Sequence, residues 1–530
     1  MSQTAAIEPD YPEALDSAVL KVAGVVVLGA IMSILDITVV SVALPTFAEV
    51  FNTTLATVAW TMTAYTLALA TVIPATGWAA DRFGTKRTYI VGLILFTFGS
   101  LLCATANSIE MLIAFRVIQG LGGGILLPRG QTILTQAAGP ERLGRLMAVM
   151  GIPMLLGPIA GPILGGWLIE IASWHWIFLI NVPLGIITVI LALRVFPKDN
   201  PQPSEKFDFV GMLLLSPGLA LFLFGISSIA ETGTASFGPR VWVPATIGLI
   251  LIVSFVFYSF KPKHPLIDLR LFKNRILTIS SIALVMFIIA FMGAGLLFPS
   301  YFLQVRGETT LAAGLLLAPQ GIGAMITMPL SGILADKFPI GRIVPFGLAL
   351  IAIGMGVFTQ VTNDTSYLVL CSALFVMGLG MGLSMMPLMT SALKTLTHHE
   401  TARGSTLLNI QQQVGGSIGT AVMSVILTTL LAASVIVPGV VNPGTGEPMT
   451  ESQVSIVAAM NPEALAGQDI PPAVTESGSE FTADAFGSTF MVAFILVLLT
   501  FIPVAFLPRR RTPEDAIGDE DAERVPIILH

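Results

Sequence analysis

Apolar runs of about 20 residues, separated by short charged or Gly/Pro-rich gaps, recur from one end of this chain to the other. As a helix, a run of that length spans the hydrocarbon core of a bilayer, and a chain built of such runs cannot close around a soluble core. Fourteen spans are predicted, over 20–44, 55–79, 88–106, 109–136, 145–168, 176–195, 209–229, 241–260, 277–304, 311–334, 343–361, 366–390, 405–431 and 486–507. The pair over 209–260 is the least distinct, because Glu231 and Arg240 fall between its members. With 54% hydrophobic and 11% charged residues, and a mean hydropathy of +0.85, the chain is a polytopic membrane protein and not a soluble domain with an anchor.

The placement of basic residues sets the expected orientation. If the N-terminus is inside, Arg240 and Arg306 are the basic residues of the outer loops, and Arg116 and Arg129 lie within helix four. Every other Lys and Arg then falls in an inner loop, a tail or an inner helix end. One span added or dropped early in the chain would destroy that asymmetry. Both termini are therefore expected in the cytoplasm, the last anchored by Arg509-Arg510-Arg511. The acidic start (Glu8, Asp10, Glu13, Asp16) lacks the basic flank of a signal peptide, so the first helix is expected to be retained. Cys103 and Cys371 both sit in apolar runs and offer neither a disulfide framework nor a zinc site. The connection 432–485 has seven acidic residues, six prolines and no Lys or Arg, which predicts an external, largely irregular loop with a short helix near 450–460.

Asp36 is the one acid placed deep in a span; the others can be assigned to tails, loops or helix ends. A carboxylate at the centre of a spanning helix costs roughly 2.5–3.5 kcal/mol on the insertion scale, so a function is expected of it. The simplest is that of a proton or cation carrier; the alternative is a structural partner for one buried Arg. Helix four offers that Arg. Arg116, Gln119, Gly120 and Gly123 share a face by their spacing. Counted from the outer helix ends, Asp36 lies about 12 Å deep and Arg116 about 10 Å deep. A nearby cation favours the ionised carboxylate and desolvation favours the neutral one, so a site that alters this balance can load and release a proton. A constant ion pair joining two helices remains the alternative. Arg129, further along helix four, is expected to snorkel to the inner face.

Three further motifs stand out. Gly157-Pro158-Ile159-Ala160-Gly161-Pro162-Ile163-Leu164-Gly165-Gly166 places Gly157, Gly161 and Gly165 in a row on helix five. Such a row allows close backbone approach to another helix, with Pro153, Pro158 and Pro162 making the segment bendable; plain helix packing is the competing reading. Gly77-Trp78-Ala79-Ala80-Asp81-Arg82-Phe83-Gly84-Thr85-Lys86-Arg87 forms a tight inner turn in which Asp81 can cap a helix and the bases can face anionic lipid. Gly332-Ile333-Leu334-Ala335-Asp336-Lys337-Phe338 repeats it, and Gly415-Gly416-Ser417-Ile418-Gly419 echoes helix five. Two six-helix bundles, helices 1–6 and 9–14, with two helices inserted between them account for both echoes. The predicted organisation is a cytoplasmic tail (1–19), a first bundle (20–197), a two-helix insertion (198–276), a second bundle (277–507) and a C-terminal tail (508–530). No Gly-Lys dipeptide exists, hence no Walker A loop, and His398-His399-Glu400 lacks the spacing of a zinc protease.

These motifs give the chain a family resemblance. It resembles the fourteen-helix drug:proton antiporters of the major facilitator superfamily over nearly its whole length. Gly77, Asp81, Arg82, Gly84 and Arg87 match the signature gating loop between helices two and three. Arg116, Gln119 and Gly120 match the helix-four motif associated with proton coupling. Gly157, Pro158, Gly161, Pro162, Gly165 and Gly166 match the helix-five motif of antiporters. Leu35 to Pro45 is similar to the helix-one motif of the fourteen-helix group, with Ser41 where Asn is usual. The resemblance implies two bundles around a central cavity, alternating access, and export driven by proton entry, with Asp36 as proton carrier and Arg116 as its modulator. Pro339-Ile340, inserted before Gly341-Arg342, departs from the signature in the second half.

The expected function is therefore multidrug efflux: export of small amphipathic or cationic compounds in exchange for protons, by a monomer in the cell membrane, with no enzyme activity, cofactor or nucleic acid. Membrane lipids are expected partners, and an accessory envelope partner is left open. Export of an endogenous metabolite or lipid on the same fold, and a transporter-like sensor without coupling, are the alternatives; the sensor would not need Asp36. Tyr65, Met292, Tyr301, Gln304, Gln320, Asn409 and Gln413 are candidates for the substrate cavity, or equally for helix packing.

Overall fold

The computed structural model describes residues 17–53, 55–138, 146, 160–161, 164–199, 207–231, 238–262, 265–394, 396, 400–442, 448–460, 465, 468 and 470–509. Its helices are α1 (Ser17–Val50), α2 (Leu55–Phe83), α3 (Thr85–Cys103), α4 (Ile109–Ala138), α5 (described over 164–171), α6 (His175–Leu179), α7 (Asn181–Val195), α8 (Phe209–Glu231), α9 (Pro239–Ser259), α10 (Arg275–Gln304), α11 (Thr310–Lys337), α12 (Ile340–Phe358), α13 (Tyr367–Lys394), α14 (Thr401–Ala432), α15 (Glu451–Met460) and α16 (Pro472–Ala505). Among the described residues, 13 helices are long and apolar enough to cross a membrane, α6 and α7 forming one of them. The protein is an all-α integral membrane protein. The difference from fourteen lies at the fifth span, 145–168, most of which falls outside the described residues.

The internal repeat is visible in how the helices pack. In the first half α4 packs along α2 and α3; in the second, α13 packs along α11 and α12. Glycines let the backbones approach in both halves. A Cβ on Gly120 of α4 would stand 2.5 Å from the Tyr65 carbonyl of α2, and one on Gly378 of α13 would stand 2.0 Å from the Gln320 carbonyl of α11. Without a strong hydrophobic drive between helices in lipid, such close approach supplies the packing energy. It also explains Gly378-Leu379-Gly380-Met381-Gly382 as a helix contact. The helix-five echo has the same physical basis. A Cβ on Gly161 would meet the Thr38 side chain of α1 at 2.0 Å, and one on Gly419 of α14 would meet the Ile289 carbonyl of α10 at 2.2 Å.

At the α2–α3 turn the structure differs from the expectation for Asp81. That residue lies inside α2, and the N-cap position of α3 is Gly84. Gly84 alone makes the turn, at φ 96°, a left-handed conformation that side chains rarely adopt. The cap of α3 is Asp199, far along the chain: its carboxylate accepts from the backbone N–H of Lys86 (2.8 Å) and of Arg87 (3.0 Å). Lys86 returns the favour at the end of α7, where its ammonium donates to the carbonyls of Leu193 and Phe196, both at 2.8 Å.

The connection over 432–485 is more ordered than its composition suggests. Two short strands, β1 (Ile436–Val441) and β2 (Pro448–Thr450), pair antiparallel, and α15 follows directly, over the stretch predicted for a short helix. Val437, Val440, Met449, Val454 and Leu465 form a small buried cluster of their own. α16 begins at Pro472, well before the predicted span at 486, and its first turns carry α15 through a Ser455–Thr482 hydroxyl contact of 3.2 Å. The cluster buries enough apolar surface to order a segment that charge alone would leave irregular.

Candidate functional site

α1 brings Asp36 to the middle of the first half, and α4, α2 and α7 close over it. Its carboxylate is buried and has donors on both oxygens. The Arg116 guanidinium donates to Oδ2. Oδ1 accepts from the Gln119 amide at 2.8 Å and from the Asn181 amide, on the first residue of α7, at 3.3 Å. Arg116 is itself held in place from three sides. Its Nε donates to the Thr61 carbonyl (3.1 Å), its Nη1 also donates to Gln119 Oε1 (2.8 Å), and its guanidinium carbon lies 4.1 Å from the centre of the Tyr65 ring. Ser33 contacts the Tyr65 hydroxyl at 3.2 Å, and Cys103 donates to Gln119 Oε1 at 3.5 Å.

The i, i+3 spacing of Arg116 and Gln119 puts both donors on the α4 face that meets α1, and similar depth makes the contact possible. Gly120 and Gly123 complete that face by leaving room for α2. Gly123 has little space to spare, since a Cβ there would meet the Tyr65 hydroxyl at 2.5 Å. Asn181 was not among the sequence candidates. The second residue of Ile180-Asn181-Val182-Pro183 is a polar side chain in an apolar run, which is the signal that marks it. Its amide also donates to the Ser100 hydroxyl at 3.2 Å, which donates in turn to the Phe178 carbonyl at 2.9 Å. The amide orientation of Asn181 is thereby set by α3 and α6.

Three donors around one carboxylate match its ionised form. A protonated Asp36 would carry a donor and need an acceptor. Gln119 turns its NH2 to the carboxylate while its Oε1 accepts from Arg116 and Cys103, so donors on that side fix the orientation of its amide. The arrangement can thus hold a carboxylate charge at bilayer depth.

The other predicted residues are distributed differently. Tyr65 is buried in the carboxylate site, its ring against the Arg116 guanidinium. Tyr301 is packed in the apolar core of the second half, its hydroxyl donating to the Thr362 carbonyl at 2.8 Å. Asn409 is buried where α14 meets α4, donating to Gln131 Oε1 at 2.7 Å. Gln304, Gln320 and Gln413 are half-buried, and Met292 is exposed near Gly416. In the helix-five motif, Gly157, Pro158 and Pro162 lie outside the described residues. Gly161 and Gly165 face α1 at Thr38 and Val39, next to the carboxylate, while a Cβ on Gly166 would meet nothing within 4 Å.

The gating-loop residues meet the second half. Asp81 pairs with Arg403 of α14 at 3.5 Å, and Gly77 faces Thr406. Arg82 and Arg87 are exposed. Arg129 does not snorkel. It is completely buried at this seam, donating to Thr406 Oγ1 at 3.0 Å and to Thr76 Oγ1 at 3.4 Å. Asp81–Arg403, Arg129–Thr406 and Gln131–Asn409 all join the two halves at the end that carries the α2–α3 turn.

Comparison with known proteins agrees with this architecture. A protein from Mycobacterium tuberculosis named multidrug resistance protein B homolog is 48% identical over 510 residues, covering 94% of this chain and 92% of that protein. The multidrug export protein EmrB of Haemophilus influenzae is 31% identical over 397 residues, covering 74% of this chain and 78% of that one. Among solved structures, the proton:xylose symporter XylE superposes with a TM-score of 0.58 over 95% of this chain and 99% of that one, at 14% identity, a likeness of fold. The model of the Major Facilitator Superfamily matches residues 26–420, and the chain belongs to that superfamily.

Proposed function

We propose that the protein exports amphipathic or cationic organic compounds in exchange for protons, with both termini in the cytoplasm and the two halves alternately opening a central cavity. The observation that carries this reading is the buried Asp36 carboxylate, held by Arg116, Gln119 and Asn181. The names of the multidrug-resistance relatives support the substrate class. Energetically the coupling is sufficient: one proton moving through about 100 mV supplies roughly 2.3 kcal/mol, which sustains about a 50-fold gradient of a neutral compound.

The test is transport of a lipophilic cationic dye into inverted vesicles. The dye should accumulate only when the lumen is acid, and its addition should drive protons outward. Asp36→Asn keeps the shape of the side chain and loses titration; it should be made at normal levels and abolish accumulation. Dye uptake by that variant at the rate of the unaltered protein, or uptake with no accompanying proton flux, would leave a facilitator on the same fold.

A further inference from the structure

The two inserted helices have no counterpart in either half. α8 lies in the groove between α2 of the first half and α14 of the second, packing along both, with α9 on its outer side. Its attachments to the two sides are unequal. Along α2 it is tied at three levels. Phe207, just before α8, sets its ring against Trp78 with centroids 4.6 Å apart. In the middle, the Ser216 hydroxyl donates to the Thr71 carbonyl at 2.7 Å, in the turn of α2 that Pro74 interrupts. Toward the other end, Phe224 stacks on Trp60 at 5.4 Å. The three ties extend over about 27 Å of α2 at 1.5 Å per residue. Against α14, by contrast, α8 contributes apolar side chains to a common core, Leu215 and Leu219 on its side with Leu407, Leu408 and Ile410 on the other.

The inserted pair is also stiff in itself. Gly225 and Gly248 let α8 and α9 touch backbone to backbone: a Cβ on Gly225 would meet Ala245 N at 2.5 Å, and one on Gly248 would meet Phe222 N at 2.3 Å. Asp208, at the start of α8, accepts from the backbone N–H of Gly211 (2.8 Å), the Tyr258 hydroxyl at the end of α9 (2.9 Å) and the backbone N–H of Leu266 (3.1 Å).

We propose that α8 and α9 are a wall fixed to the first half, and that the α8–α14 face is the surface along which the second half slides when the cavity changes sides. Directional contacts hold a register and have to break before a helix can move past its neighbour; apolar side-chain packing has no such register. α2 and α14 meet directly at the Asp81–Arg403 end, and α8 packs against both. The inserted pair thus supplies the wall that neither half provides.

This inference rests on the alternation of the two halves proposed above, and the test separates the two. Spin labels are placed on three exposed, lipid-facing positions outside the sites described: Phe257 (α9), Val91 (α3) and Phe346 (α12). Distances are measured by pulsed dipolar spectroscopy in lipid, comparing the protein with its Asp36→Asn variant. The Val91–Phe346 distance reports alternation itself and should change by several ångströms. The Phe257–Val91 distance should stay constant, while Phe257–Phe346 changes with the halves. A constant Phe257–Phe346 distance with a changing Phe257–Val91 distance would assign the pair to the second half and overturn the proposal; change in both would make it an independent body and also overturn it. An invariant Val91–Phe346 distance counts against alternation. In that case a second variant decides: Trp60→Cys with Phe224→Cys, bridged by a short bismaleimide, should retain the transport of the unbridged double variant. Loss of transport on bridging overturns the fixed wall.

Discussion

Asp36 is useful only because its neighbours can be told apart by what they give it. Arg116 supplies charge, Gln119 an amide donor whose oxygen is held by Arg116, and Asn181 a single donor anchored by Ser100. Replacing Asn181 with Leu removes one donor to the ionised form and leaves the ion pair intact. A hydrogen bond to a charged group is worth roughly 1.5–3 kcal/mol, and a tenfold change in proton binding about 1.4 kcal/mol. With that bond lost, proton-driven efflux should fall several-fold. Efflux of a fluorescent dye from everted vesicles at matched membrane levels checks this; unchanged efflux would mean that Asn181 only packs. Arg116→Lys should retain charge but lose the second donation to Gln119 and the ring contact with Tyr65, lowering efflux without the misfolding expected of Arg116→Ala, which strands a buried carboxylate at a cost of about 3–5 kcal/mol.

At the scale of elements, the glycines of the fifth span do not share one task. Gly161 touches the Thr38 side chain two residues from Asp36, whereas Gly166 in the same motif faces open space. Gly161→Ala should therefore disturb α1 and reduce transport several-fold, and Gly166→Ala should leave it unchanged. The pair is compared by dye efflux at matched membrane levels, and equal activity would show that α5 does not bear on the carboxylate. Gly123→Ala in α4 belongs with the damaging group, since its methyl would press on the buried Tyr65 hydroxyl.

For the whole molecule, the polar contacts that join the halves cluster at one end, the one that charge placement predicts is cytoplasmic. Asp81–Arg403 is partly accessible, while Arg129, Thr406 and Asn409 are buried behind it. Partly exposed pairs contribute little stability singly, so Arg403→Ala should not unfold the protein; it should loosen that end. A cysteine at Thr406, 1% exposed in this state, should react slowly with a membrane-impermeant maleimide applied from the α2–α3 side. With Arg403→Ala added, the reaction should speed up several-fold. No change in rate would place the closure in the Arg129 and Asn409 contacts alone.

Much of this molecule was determined by its sequence. Run length and basic-residue placement depend on the bilayer, an environment the same for every span, so 13 spans appear among the described residues, with ends near those predicted except at the start of α16. Asp36 and Arg116 were legible because a charge at such depth has few partners and depth follows from residue count. Neighbours across helices were not. Asn181 reaches Asp36 only through the packing of α7 on α1, Asp199 caps α3 from beyond α7, and Arg129 finds hydroxyls on two other helices instead of the membrane surface. The order around 432–485 was hidden for the same reason: its acidic, proline-rich composition reads as irregular, and only the meeting of β1, α15 and the extended α16 buries its few apolar residues. Hydropathy is summed along the chain and is local, whereas which polar group answers another is settled by how helices far apart in sequence are brought side by side.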